Sequence, residues 1–122
     1  MILVDTSVWG DHLRAGDPVL GERLNRSQVQ MHPFVLGELA CGNLHNRGEV
    51  LRLLEALPQA IVASHEEVLF FIERNALMGR GIGYADAHLL AAVALSGSAQ
   101  LWTRDKRLRS VAAALNLACG EH

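Results

Sequence analysis

The sequence predicts a single α/β domain with three layers, in which a short parallel sheet of four to five strands is covered by helices on both faces. Short apolar runs alternate with longer segments of helical spacing throughout the chain. The first run, Met1–Val4, is continuously apolar, which is typical of a strand buried on both faces. Strands that alternate with helices imply right-handed crossovers and a parallel sheet. A length of 122 residues leaves little room for a second domain, so we interpret residues 1–122 as one unit.

The first half of the chain is predicted to contain two strands and four helices. The strand at Met1–Val4 is followed by a helix over Thr6–Arg14. Asp17 and Pro18 are typical of a helix start, with aspartate as the N-cap and proline at the first helical position. The elements that follow are a helix ending near Asn25, a strand at Val29–Met31, and helices over Phe34–Cys41 and Leu44–Leu57.

The second half is predicted to contain three strands and three helices. Ser64 and Glu67 have the spacing of a capping box, which indicates a helix that begins there and continues to Met78. Glycines between residues 79 and 83 indicate a flexible loop. The other elements are strands at Ala60–Ala63, Gln100–Thr103 and Leu117–Cys119, with helices over Tyr84–Leu95 and Asp105–Leu115.

The composition is that of an ordinary globular protein. Half of the residues are apolar and a fifth are charged. No apolar stretch approaches the ~20 residues that span a bilayer, and the apolar start lacks the basic segment of a signal peptide. The two cysteines, Cys41 and Cys119, lie in apolar surroundings without a CxxC spacing, so we expect buried, reduced thiols in a cytoplasmic protein.

Four acidic residues lie at element boundaries or among apolar neighbours, where a charge is costly. Asp5 and Asp105 follow two strands, and a parallel sheet brings such positions to the same edge. Glu38 is flanked by apolar residues, and Asp86 begins the most apolar helix. Carboxylates gathered in water-poor surroundings repel one another, so such a cluster raises pKa values or recruits a cation. With oxygen ligands only, the expected cation is Mg²⁺ or Mn²⁺.

Each of these acids also has a purely structural interpretation. Asp5, Asp86 and Asp105 are placed where an N-cap or first-turn acid complements a helix, and Glu38 is compatible with an exposed helix face. Three hydroxyls lie beside the acids, those of Thr6, Ser7 and Thr103. They either orient a water or a carboxylate around a metal ion or cap helices, and the spacing leaves both interpretations open.

Four segments that carry the acids resemble, in order, the four acidic motifs of PIN-domain ribonucleases. The segments are Val4–Trp9, Leu36–Leu39, Ala85–Ala92 and Leu101–Leu108. The first and last are most similar to the VapC toxins of toxin–antitoxin pairs, and the resemblance spans the whole chain. It implies a PIN-like sandwich and an endoribonuclease that hydrolyses RNA phosphodiesters with a water activated by Mg²⁺ or Mn²⁺. The catalytic and metal-binding acids that it implies are Asp5, Glu38, Asp86 and Asp105.

The resemblance also implies partners. It predicts a homodimer and a cognate antitoxin whose C-terminal segment covers the active site. RNA contacts are expected from basic side chains near the acids, namely Arg80, Arg104, Lys106 and Arg107. A solvated helix face is the alternative interpretation of the last three. The net charge of −2 predicts modest non-specific affinity for nucleic acid, although the rest of the chain carries +2 once four carboxylates are assigned to metal.

Other functions of the same fold class fit the sequence less well. A receiver-like phosphoacceptor module also uses Mg²⁺, but it needs an aspartate at the end of its third strand, where Ala63 and Ser64 stand. A dehalogenase-type phosphatase needs a second acid two residues after the first, where Ser7 stands. A non-enzymatic interaction domain that keeps only the fold is the other alternative.

Overall fold

A short parallel sheet lies at the centre of the molecule. The structure, a computed structural model, describes residues 1–120. Strands β1 (Ile2–Val4), β2 (Val29–Gln30) and β3 (Gln100–Trp102) are arranged in the order β2-β1-β3, with both pairings parallel. All three residues of β1 are buried, as the continuous apolar run at the start of the chain predicted. Asp5 therefore directly follows the carboxyl end of the central strand, β1.

The sheet has three strands within residues 1–120, so the predicted number of four to five is wrong. The apolar segments 60–63 and 117–119 approach the sheet without forming strands: segment 117–119 forms one bridge, and the other bridge lies at Gln59, directly before residue 60. These bridges are Met31–Gln59 and Leu101–Ala118. The side chains of Ile61 and Val62 are 49% and 51% exposed, because the chain leaves the sheet directly after the bridge. Apolar composition thus predicted where these segments meet the sheet, but not how far they follow it.

Seven helices accompany the sheet in the described part of the chain. They are α1 (Thr6–Ala15), α2 (Pro18–Asn25), α3 (Pro33–Ala40), α4 (Arg47–Glu55), α5 (His65–Arg74), α6 (Tyr84–Ser96) and α7 (Lys106–Ala114). The predicted cap of α2 is present, with the Asp17 carboxylate accepting from the Leu20 amide at 3.0 Å. The predicted capping box of α5 is also present at Ser64 and Glu67. Helix α5 ends before Met78 because Ala76 has a positive φ of 51°.

The core takes buried residues from all three strands and from helices α1, α2, α3, α4, α6 and α7, and helix α6 contributes four of them, Leu89, Leu90, Ala92 and Val93. Trp9 and Trp102 are buried, as their apolar surroundings indicated. Cys119 is buried as expected, whereas Cys41 is exposed at the end of α3. Among residues 1–120, no helix combines the length and the apolar character that crossing a membrane requires.

Candidate active site

Asp5 stands at the carboxyl end of β1 with only 7% of its surface exposed. It occupies the N-cap position of α1, but its side chain forms no capping hydrogen bond. Its Oδ2 instead accepts from Ser7 Oγ at 2.9 Å and from Thr103 Oγ1 at 2.7 Å. The capping interpretation therefore does not explain this acid, whose carboxylate is held by hydroxyls at the edge of the sheet.

The two hydroxyls connect the ends of β1 and β3. Each hydroxyl carries one proton, and both donate it to Asp5. Ser7 Oγ then accepts from the Arg104 amide at 2.9 Å, and Thr103 Oγ1 accepts from the Asp105 amide at 3.1 Å. The position of the Asp105 backbone is thus tied to the carboxylate of Asp5 through one side chain.

Asp86 and Asp105 combine a structural role with a position near Asp5. Asp105 caps α7, because its Oδ1 accepts from the Leu108 amide at 2.9 Å. Asp86 is the third residue of α6, and its Oδ2 accepts from the Gly83 amide at 3.2 Å. Each of these bonds uses one carboxylate oxygen, so capping leaves the other oxygen of each acid for a further ligand.

The carboxyl of Asp86 is affected by burial and by the charges of two other acids. Burial raises the pKa of the Asp86 carboxyl above its usual value, and the negative charges of Asp5 and Asp105 raise it further. The hydrogen bond from the Gly83 amide acts in the opposite direction. Asp86 is therefore close enough to both other acids to be repelled by them.

Glu38 joins this group only indirectly. It is exposed on α3, whereas its apolar neighbours led us to expect a more buried side chain. Its Oε1 accepts from Thr6 Oγ1 at 3.1 Å, and Thr6 directly follows Asp5. The structure therefore brings Asp5, Asp86 and Asp105 together and places Glu38 at the rim.

The donor set fits Mg²⁺ or Mn²⁺ in its chemistry. Every candidate ligand is a carboxylate or hydroxyl oxygen, the atom type that these ions prefer. Within residues 1–120, no three His, Cys, Asp or Glu side chains are already arranged to hold an ion. Asp5, Asp86 and Asp105 each bond to a nearby N–H or hydroxyl through one oxygen. These acids would have to come closer together to bind one cation.

Arg104 has a role that the sequence did not reveal. Its guanidinium donates to Asp11 and to Asp17, each at 2.5 Å, and lies 5.7 Å from the ring centroid of Trp102. The hydrogen bond from Arg104 is the largest cause that lowers the pKa of Asp11. Because two carboxylates already engage this side chain, we leave Arg104 out of the proposed RNA contacts. Residues 11, 17 and 104 show no sequence spacing that would predict a contact, so only the folded structure reveals this ion-paired group.

The other basic residues near the acids are exposed. Arg80, Lys106 and Arg107 all have exposed side chains. Arg107 packs against the glycine loop, and a Cβ on Gly81 would lie 2.6 Å from its Cδ. Gly81 has a φ of 81°, a backbone conformation that favours glycine, whereas the exposed Arg107 side chain could shift to admit a Cβ. The loop before Asp86 and the start of α7 are thereby packed together.

Replacing Asp86 by asparagine is expected to stabilise the metal-free protein at neutral pH. A raised pKa means that ionising Asp86 costs the native state free energy as the pH rises above 3.8. Asparagine removes this cost and still accepts from the Gly83 amide. Thermal unfolding in chelator should show a higher Tm for Asp86→Asn at pH 7 and a much smaller difference at pH 3. An equal or lower Tm at pH 7 would contradict the raised pKa of Asp86.

The fold and site define a parallel α/β domain with acids gathered at the carboxyl edge of its sheet. Residues 2–114 match the family model described as the PIN domain. Two curated relatives, both named Ribonuclease VapC32, come from Mycobacterium tuberculosis strains CDC 1551 / Oshkosh and ATCC 25618 / H37Rv. Each is 51% identical over 121 residues, covering 99% of this chain and 98% of the relative. The chain therefore belongs to the PIN-domain family, as a member of the VapC type.

Proposed function

We propose that this protein is a Mg²⁺- or Mn²⁺-dependent endoribonuclease and the toxin of a type II toxin–antitoxin pair. The observation that carries the proposal is the convergence of Asp5, Asp86 and Asp105 at the carboxyl edge of the sheet. The likeness to relatives named as ribonucleases supports RNA as the substrate. Burial and the neighbouring acids make the ionised form of Asp86 costly to the native state, and a bound cation would offset that cost.

In the proposed hydrolysis, the acidic side chains bind the metal ion and the neighbouring hydroxyls position the acids. Asp5, Asp86 and Asp105 would hold the ion, with Glu38 approaching from α3. When bound, Mg²⁺ or Mn²⁺ lowers the pKa of a bound water and offsets the charge that develops on the phosphate. Ser7 and Thr103 fix the Asp5 carboxylate by donating to one oxygen. Thr6 holds Glu38 at the rim.

Basic side chains around this edge would contact the RNA backbone. We propose Arg80, Lys106 and Arg107 for this role, because all three are exposed on the glycine loop or at the start of α7. Arginine donates to phosphate in a bidentate fork, while lysine acts as a point charge. So few contacts predict weak, salt-sensitive binding, and recognition of a particular RNA then depends on shape and bases as well.

Two apolar grooves support the expected protein partners. One, of about 470 Å³, starts at Thr6 and Glu38 and runs along apolar side chains of α1, α3 and α4. Because this groove begins beside the proposed site, an antitoxin segment bound in it would also cover the site. The other lies between α5 and α6, where Phe70 is 65% exposed, and we assign it to a second copy of the chain.

An RNA cleavage assay tests the proposal directly. The purified protein should cut a structured RNA in Mg²⁺ or Mn²⁺, and an excess of chelator should stop the reaction. Restoring the metal should restore cleavage, which separates metal dependence from protein damage. Lack of cleavage across structured and unstructured RNAs would instead support the alternative, a non-enzymatic interaction domain with the same fold.

A further inference from the structure

Three side chains form a hydrogen-bonded chain beside the acids. The hydroxyl of Tyr84 lies 2.6 Å from His65 Nδ1 and 2.9 Å from His88 Nε2. A phenol has one proton to donate and lone pairs to accept with, so it donates to one imidazole and accepts from the other. The chain joins the first residue of α5 to two successive turns at the start of α6.

The same cluster reaches helix α3 through ring contacts. His88 is buried and its ring lies 4.3 Å from that of Phe34 and 4.7 Å from that of Tyr84, where the rings are nearly perpendicular. Phe34 is in the first turn of α3, the helix that carries Glu38. The cluster therefore fixes the start of α6 against two other helices.

The start of α6 receives no hydrogen bond from an N-cap side chain, so other contacts have to hold it in place. Its N-cap is Gly83, which forms no side-chain cap, and the preceding loop contains Gly79 and Gly81 at positive φ. Glycine restricts the backbone least, so this loop does little to hold the helix in place. Asp86 lies on this first turn, and its carboxylate depends on the Gly83 amide for its hydrogen bond.

We infer that Tyr84 is a positioning residue for the metal-binding acids, a role that rests on the proposed function. Its hydroxyl, held by His65 and His88, fixes the first turn of α6. The fixed turn keeps the Gly83 amide on one oxygen of Asp86, so that this carboxylate stays near Asp5 and Asp105. Tyr84 itself need not touch RNA or metal to have this effect.

The variant Tyr84→Phe tests the inference because it removes only the hydroxyl. Mn²⁺ affinity, measured by calorimetry without RNA, should fall about 10-fold, as is typical when a partner that orients a metal ligand is lost. The exchange of the Gly83 amide proton with water, measured by NMR on the metal-free protein, should become faster. A merely structural role would lower the Tm and leave both of these quantities unchanged.

Ser96→Ala is the matched control at the other end of the same helix. The Ser96 hydroxyl donates to the Val93 carbonyl at 2.7 Å and accepts from the Ala99 amide at 3.0 Å, so its loss also removes hydroxyl hydrogen bonds. The variant Ser96→Ala should have the same Mn²⁺ affinity and the same rate of Gly83 amide exchange as the unsubstituted protein. Unchanged Mn²⁺ affinity or unchanged Gly83 exchange in Tyr84→Phe would overturn the inference. If the unsubstituted protein binds no Mn²⁺, the proposed function fails, and Gly83 exchange still decides whether Tyr84 positions the turn.

Discussion

Asp5→Asn is expected to reduce metal-dependent RNA cleavage by more than about 100-fold, since a metal ligand should matter at least as much as the groups that orient it. Asn has the shape of Asp, and its carbonyl oxygen can still accept from Ser7 and Thr103. The substitution therefore removes the charge and leaves the hydroxyl network in place. Initial rates of cleavage at saturating Mg²⁺, together with the Tm of the variant, measure the two effects separately.

Glu73→Gln provides the matched control for charge removal. Glu73 is an exposed carboxylate in the last turn of α5 and takes no part in the contacts of the proposed site. We expect its variant to cleave at the unsubstituted rate. Cleavage by Asp5→Asn at the same rate as Glu73→Gln would remove Asp5 from the site and, with it, the central ligand that the proposed mechanism requires.

The fold was predictable wherever local chemistry decides structure. The buried strand β1, the cap at Asp17 and the capping box at Ser64 all depend on neighbours in sequence, and each is confirmed. The number of strands was wrong because segment 60–63 has the apolar character of a strand, but the chain leaves the sheet after a single bridge at Gln59. The number of residues that pair with the sheet depends on where the chain next turns away from it. Apolar composition does not determine that turn.

The sequence predicted a site from its carboxylates, and their catalytic role stays a prediction, whereas it did not indicate the contacts that surround them. Residues that end parallel strands meet at one edge, so the amino-acid sequence alone is enough to pair Asp5 with Asp105. The partners of Arg104, and the cluster around Tyr84, join residues far apart in sequence. His65 and His88 have no metal-ligand spacing to mark them, and their hydrogen bonds to a tyrosine depend on how α5 packs on α6.

Acidification from pH 6.5 to pH 4 is expected to lower the free energy of unfolding through His32. This side chain is fully buried, and burial, followed by the neighbouring His88, lowers the pKa of its imidazole from 6.5 to about 4. Its Nδ1 accepts from the Phe34 amide at 3.0 Å, so protonation there would break the cap of α3. Between pH 6.5 and pH 4, His32 takes up a proton in the unfolded chain but not in the native state. The loss amounts to about 3 kcal/mol at pH 4 and vanishes above pH 6.5.

The variant His32→Asn tests the titration of His32 without removing the hydrogen bond that caps α3. The Oδ1 of Asn can accept from the Phe34 amide as His32 Nδ1 does, but it takes up no proton in this range. Urea unfolding at several pH values should therefore give His32→Asn a shallower dependence on pH between 6.5 and 4. The dependence should not disappear, because burial also lowers the pKa of His88. Equal slopes for the two proteins would mean that His32 takes up its proton in the native state as easily as in the unfolded chain, and its burial would then carry no electrostatic cost.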